Sequence, residues 1–407
     1  MNELSIRHRY CFLWSAFVLF LCTAIFSACS RTENSPPRTD LEQQARPSAS
    51  VTSTSIPAAA GKQAGPLRSQ ITNFATDVVI KTLAIEGNHL WMGLPTGIIR
   101  YDTRTEDQHE VYTTRSTGGG LISKGIYKIK IDGEGNKWIG SYGGGLTKYD
   151  GQTWHTYTPN DGLGDLWVYD LVFDDQGRMW VATWKGVSVF DGKRFKTYTM
   201  KDGLIDKWVY SIGLDHDGVF WFGTESGVTR YDGKTWKSYT HADGLGADVA
   251  PPPEMPPAVE RMKDPNHTRG DDYGSDSSYS KGHHMGKSKQ NMGPNPNFII
   301  ATAVDNQNNK WFGTWGAGLS KFDGKNWTTY TTQNGLGGNF VHAITIDRNG
   351  SLWVGTNGGV SRFDGKEWTT ISTRDGLIDN NVFSIAVDDN GNKWFGTWHG
   401  LSKLSPS

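Results

Sequence analysis

The chain has 407 residues, with 41 Lys and Arg balanced by 42 Asp and Glu for a formal net charge of −1. With no basic stripe to neutralise phosphates, this balance argues against a nucleic-acid partner. The three cysteines are Cys11, Cys22 and Cys29, all near the N-terminus. They leave no disulfide framework, thiolate metal site, haem-attachment motif or cysteine nucleophile for the body of the chain. Tryptophan is the outlier, with 17 copies, and it demands a structural explanation.

Arg7 and Arg9 precede an apolar run from Tyr10 to Phe26, followed by small residues before Cys29. That is the layout of a secretory signal. The run of about 17 apolar residues is at the short limit for a membrane-spanning helix. Phe26-Ser27-Ala28-Cys29 resembles a bacterial lipobox, although Phe26 stands where Leu is usual. Residues 1–28 are therefore expected to be a lipoprotein signal peptide and Cys29 the lipidated new N-terminus. The product would be exported and lipid-anchored to the cell envelope. Ser30 is not the Asp that resembles an inner-membrane retention signal, so the periplasmic face of the outer membrane is expected in a cell with two membranes. Residues 29–66 are rich in Ser, Pro, Thr, Ala and Gln, too apolar-poor to offset chain entropy. They read as a flexible tether with a mean reach of about 30–35 Å.

From there the chain repeats. Trp91, Trp138, Trp180, Trp221, Trp311, Trp353 and Trp394 are one position in seven copies, mostly 41 or 42 residues apart. A period of that size with four short strands per copy predicts propeller blades. In one copy, Val209–Leu214, Phe220–Thr224, Val228–Tyr231 and Thr235–Tyr239 read as strands, separated by turn residues at Asp215–Gly218, Glu225–Gly227 and Asp232–Lys234. The seventh copy stops at Leu404, after its third strand. Ile71-Thr-Asn-Phe74 matches the missing fourth strand and is expected to close the ring. The expected fold is an all-β, seven-bladed propeller of four-stranded antiparallel blades. Residues 67–246 hold the closing strand and blades 1–4, and residues 298–407 hold blades 5–7.

Trp-Phe-Gly-Thr, Gly-Val-Ser-Arg-Phe-Asp-Gly-Lys, Trp-x-x-Tyr-Thr and Asp-Gly-Leu resemble the two-component regulator propeller repeat, from about residue 67 to 404. The resemblance implies a ligand-binding sensor domain, often fused to histidine kinases, with glycan sensing its best-known theme. It implies a non-catalytic function in which a membrane sensor kinase or another envelope protein is the partner. A protein-protein interaction scaffold and a propeller resembling the streptogramin lyases are the alternatives.

In a propeller, the loops leaving each second strand and entering each first strand share one face, where binding residues concentrate. Tyr142, Trp184, Trp315 and Trp398 fall after second strands, and Trp167, Trp208 and Phe340 fall before first strands. Among them stand Asp165, Lys185, Asp206, Lys207, Glu225, Asn357, Asp379, Asn381 and His399. Aromatics ringed by carboxylates and amides suit a sugar or another flat small molecule. These positions vary from blade to blade while the Trp91-type position does not. Lys128, Lys130, Asp170 and His342 lie on first strands and are expected in the channel, with Lys128 and Asp170 as a solvated pair. The Asp-x-x-Gly and Asp-Gly-Leu segments read as structural turns, not calcium loops. No catalytic triad, paired carboxylates, metal set or cofactor motif is found. Residues 247–297 form a low-complexity insertion, read as a disordered, lid-like or partner-binding loop. Its His267, His283, His284, Met255, Met262, Met285 and Met292 lack the fixed spacing a copper site requires.

Overall fold

The structure, a computed structural model, describes residues 62–63, 70–75, 78–105, 109–122, 125–249 and 293–406. The signal peptide, Cys29, most of the tether and most of the 247–297 insertion lie outside the described residues. The β-rich alternation of each repeat forms an antiparallel meander whose strands pair in sequence order. Blade 1 runs from Thr82–Glu86 to His109–Tyr112 and blade 2 from Ile126–Ile131 to Trp154–Tyr157. Blade 3 runs from Val168–Phe173 to Phe195–Tyr198 and blade 4 from Val209–Leu214 to Trp236–Tyr239. Blade 5 runs from Asn295–Val304 to Trp327–Tyr330 and blade 6 from Val341–Ile346 to Trp368–Ile371. Its first strand makes blade 5 begin at Asn295, inside the stretch that composition assigned to the insertion. Lys62–Gln63 adds in parallel to the outermost strand of blade 6.

Blade 7 takes Val382–Val387, Lys393–Thr397 and Gly400–Leu404 from the C-terminus and Ile71–Ala75 from the N-terminal side. Ile71 pairs with Leu404 and Phe74 with Leu401 in an antiparallel register. The ring is thus closed by a strand from the N-terminal side that completes the last sheet to four strands, leaving only the short outer edge that every blade has.

The core lies between blades. Trp221 of blade 4 packs with Phe312, Phe322 and Trp327 of blade 5. Trp394 of blade 7 packs with Leu90, Met92 and Tyr101 of blade 1, joined by Phe74. Close approach depends on the Gly two residues after the repeat Trp. A Cβ on Gly223 would lie 2.7 Å from Ile299, and one on Gly140 would lie 2.7 Å from Val168. The first strand of the next blade therefore seats against bare backbone in six of the seven blades, with Ala182 at this position in blade 3.

Each repeat Trp is also tied to its own turn. The indole Nε1 of Trp221 donates to Asp215 Oδ2 at 2.9 Å, while Asp215 Oδ1 accepts from the backbone N–H of Asp217 and Val219. The same bond joins Trp138 to Asp132, Trp180 to Asp174, Trp311 to Asp305, Trp353 to Asp347 and Trp394 to Asp388. In blade 1, Glu86 substitutes for the Asp and accepts from Trp91. The Asp-Gly-Leu segments are capped turns: Asp161 accepts from Thr158 N–H and Asp375 from Ser372 N–H, with Leu163 and Leu377 buried behind them. Both Asp classes have structural roles, as their recurrence implied.

Deleting residues 70–75 should unpair Gly400–Leu404 and expose the Trp394 cluster. Ile71 and Phe74 are half-buried, so losing their contacts costs at most about 1.5–3 kcal/mol each. Differential scanning calorimetry should show a clearly lower melting temperature, and an unchanged value would contradict closure by this strand.

Candidate functional site

The face bearing the expected residues is shaped by a recurrent break in register. In blade 3, Val168 pairs with Thr183 and Asp170 with Ala182, so Tyr169 has no partner of its own. Tyr127, Tyr210, Ile300, His342 and Phe383 occupy the same bulge in blades 2, 4, 5, 6 and 7. In blade 1 the equivalent residue is Lys81, immediately before the pair Thr82 and Gly93. A bulge bends its strand and re-aims a side chain. Here the innermost strand turns one side chain per blade into the axial mouth.

Around this ring stand the residues that follow the second strands. Thr183, Thr224, Thr356 and Thr397 end those strands fully buried, and each hydroxyl donates to a Gly carbonyl across the turn. The same hydroxyls accept a backbone N–H from the turn, as Lys185 and His399 show. That rigid turn carries Trp184, Glu225, Asn357 and Trp398, and Thr314 carries Trp315 in the same way. On the other side, the loops before the first strands are held by Asx turns. Asp165 Oδ1 accepts from Trp167 N–H and Asp206 Oδ1 from Trp208 N–H.

Their second oxygens clamp the two loops of a blade together. Asp165 pairs with Lys185 at 3.3 Å, Asp206 accepts from Ser226 Oγ at 2.5 Å, and Asp379 meets His399 Nδ1 at 2.5 Å. Asn357 Oδ1 accepts from Phe340 N–H at 3.3 Å. The polar residues that sequence reasoning grouped with the aromatics thus orient the loops that carry them.

The aromatic residues meet in a belt. Tyr142 contacts Trp167, Trp167 stacks on Trp184 at 5.0 Å, and Trp184 lies 5.7 Å from Trp208. Trp315 contacts Phe340 edge-on at 5.2 Å. Trp184 is only 9% exposed, wedged between its neighbours, whereas Trp398 is 46% exposed. The links between these groups are His342, which the sequence placed in the channel, and residues that sequence reasoning missed. Tyr169 meets Tyr210 at 4.9 Å, Tyr210 meets Phe298 at 4.7 Å, and Phe298 stacks on Trp315 at 5.7 Å. Trp315 then reaches His342, His342 meets Phe383 at 4.9 Å, and Phe383 meets Trp398 at 5.7 Å. One signal was available: an aromatic or His follows a β-branched residue at the start of most first strands.

Deeper in the channel Lys128 Nζ pairs with Asp170 Oδ1 at 2.7 Å, and Asp170 Oδ2 accepts from Ile212 N–H. This is the expected channel pair, although Asp170 is buried rather than solvated, and it also links blades 2, 3 and 4. Enclosure shifts several groups at the axis. Burial lowers Lys81 to about 8. Burial, with the Lys81 charge, lowers His342 to about 3. Burial and the neighbouring Lys128 lower Lys130, against the pull of Asp170. Across the mouth, burial and the Asp206 charge raise Glu225. Among the described residues, no three His, Cys, Asp or Glu side chains come together as a metal-ligand set.

Fold and mouth together define a seven-bladed propeller with one aromatic-lined face. Residues 162–185, 203–226, 335–358 and 376–399 match the two component regulator propeller family, so the chain carries four repeats of that kind. Each matched segment runs from the Gly of a capped turn to the residues following a second strand. A comparison with curated proteins finds no match. Among solved structures, the extracellular domain of a hybrid two component system from B. thetaiotaomicron aligns with TM-score 0.63 at 20% identity, over 83% of this chain and 41% of that chain. PorZ, a surface component of the type-IX secretion system of Porphyromonas gingivalis, aligns with TM-score 0.56 at 15% identity, over 82% of this chain and 47% of that chain. Virginiamycin B lyase from Staphylococcus aureus aligns with TM-score 0.55 at 13% identity, over 83% of this chain and 99% of that chain. The chain thus spans less than half of the first two. At these identities the likeness is one of fold.

His342 generates a pH prediction. An unperturbed His titrates near pH 6.5, and the folded one near 3. Between those values the unfolded chain binds a proton that the folded chain does not, so this group's contribution to stability is lost as pH falls. Urea melts at pH 7 and pH 4.5 should show less acid destabilisation in His342→Phe than in wild type. Equal acid destabilisation in the two proteins would contradict the assignment.

Proposed function

We propose that this chain is a non-catalytic sensor lipoprotein of the cell envelope, binding a glycan or another flat small molecule at its axial mouth. The observation that carries the reading is the aromatic belt, which crosses several blades on one face. Its faces suit the C–H surfaces of sugars and other flat ligands. The rigid turns and Asx clamps beneath it preorganise the mouth, which limits the ordering cost of binding. The matched repeats, and the fold shared with an extracellular domain of a two component system, support a sensing role. A lipid on Cys29 would hold the domain at the membrane surface, from which it would present its ligand state to a membrane sensor kinase or another envelope protein. Two other readings stay in play: a protein-docking scaffold, and a lyase whose His399 and Asp379 would supply the base.

A thermal-shift screen of glycans and small aromatic compounds finds the ligand, and calorimetry on variants locates it. Trp208→Ala, Trp315→Ala and Trp398→Ala should each weaken binding by about 2- to 12-fold, the equivalent of about 0.5–1.5 kcal/mol per aromatic contact. Trp398→Ala should also change the melting temperature only slightly, since nearly half of its surface is in water. Wild-type affinity in all three folded variants would place the site elsewhere. Chemical conversion of the bound compound would favour the lyase.

A further inference from the structure

The bulge ring has an odd member. Six blades place Tyr127, Tyr169, Tyr210, Ile300, His342 and Phe383 at this position, and blade 1 places Lys81 there. Its Nζ lies 3.9 Å from the centroid of the Phe383 ring and 5.8 Å from that of Trp398. Among the described residues it forms no ion pair and no hydrogen bond through its ammonium. The nearby channel cation Lys128 is neutralised by Asp170. Lys81 is not, and its lowered pKa records the cost of enclosing that charge.

We propose that Lys81 is the anion-recognising residue of the mouth, and that the ligand carries a carboxylate on a ring that stacks against Phe383 and Trp398. The inference rests on the reading of the mouth as a small-molecule site and adds the ligand's charge and orientation. A ring seated on exposed Trp398 would bring a substituent within reach of the ammonium over Phe383. In a partly dehydrated mouth, the resulting charge-assisted hydrogen bonds are about twice as strong as neutral ones. Phe383 and Trp398 stabilise the ammonium by cation-π contact but supply no acceptor, so a ligand oxygen completes its shell. On the opposite side of the mouth stand two carboxylates, Asp206 and Glu225, where burial and the Asp206 charge raise Glu225, so that side disfavours an anion. The carboxylate therefore points to blade 1 and the uncharged part of the ligand to blades 3 and 4.

Either an aromatic acid or a uronic-acid sugar presents this chemistry. The test uses two matched pairs: benzoate against benzamide, and trigalacturonate against a neutral galactose trisaccharide. Binding is followed by NMR through the Trp398 indole N–H and the Lys81 side-chain signals. Wild type should bind the acid of at least one pair ten-fold or more tighter than its neutral partner, with the Lys81 signals shifting. The pair that shows the preference identifies the source. Lys81→Met should abolish the preference while the neutral compound still binds, and Lys81→Arg should restore it. Equal binding of acid and neutral partner in both pairs would overturn the anion assignment and leave the aromatic site standing. A preference that survives in Lys81→Met would overturn it equally. No perturbation of Trp398 by any of the four probes would overturn both.

Discussion

A buried indole N–H must find an acceptor or forfeit about 1–3 kcal/mol, and the architecture here turns on how that requirement is met. The acceptor is the carboxylate of a turn residue six positions earlier, as for Trp221 and Asp215. One carboxylate therefore satisfies the turn's own N–H groups and pins the largest side chain of the inter-blade core. The bond fixes the indole's orientation toward the next blade, where a bare glycine and a β-branched side chain interlock. Basic residues complete the contact from the neighbouring blade: Lys310 reaches Asp215 at 3.4 Å, and its ammonium lies 5.5 Å from the Trp221 ring centroid. The outer-strand tryptophans differ, since Trp327 and Trp368 bury Nε1 with no acceptor among the described residues. They act as apolar mass, and the repeat tryptophans set geometry.

The mouth inherits its rigidity from this lattice. Successive blades are locked along their lengths, so the loops above them need only local devices to hold position. Buried threonines brace the turns after the second strands, and Asp165, Asp206 and Asp379 brace the loops before the first strands. Variation is then free to fall on the residues that project from those loops. That is why Trp184, Glu225, Asn357 and Trp398 can occupy one structural position in different blades without disturbing the fold.

The blade number, the closing strand and the turn roles of the recurrent aspartates were legible in the sequence because each recurs in register, and recurrence exposes structural constraint. The aromatic loop residues were also legible, since propeller topology assigns both loop sets to one face. The inner ring was not. Tyr127, Tyr169, Tyr210 and Phe383 lie at bulges, where strict alternation of faces fails, and period-two reading places no special role on them. Phe298 was hidden for another reason: the first strand of blade 5 begins at Asn295, within a stretch whose composition reads as insertion. The clamping role of Asp165, Asp206 and Asp379 was equally invisible, because it depends on pairing each with a residue about twenty positions away.

The tryptophans fall into a set that holds the ring together and a set that faces the mouth, and hydrogen exchange at the indole N–H tests that division most directly. In the ligand-free protein, two-dimensional NMR of a nitrogen-labelled sample would follow each Nε1–H in heavy water. The indoles of Trp138, Trp180, Trp221, Trp311, Trp353 and Trp394 should exchange only with global unfolding, while that of Trp398 exchanges at once. Exchange of the repeat indoles as fast as Trp398 would contradict the account.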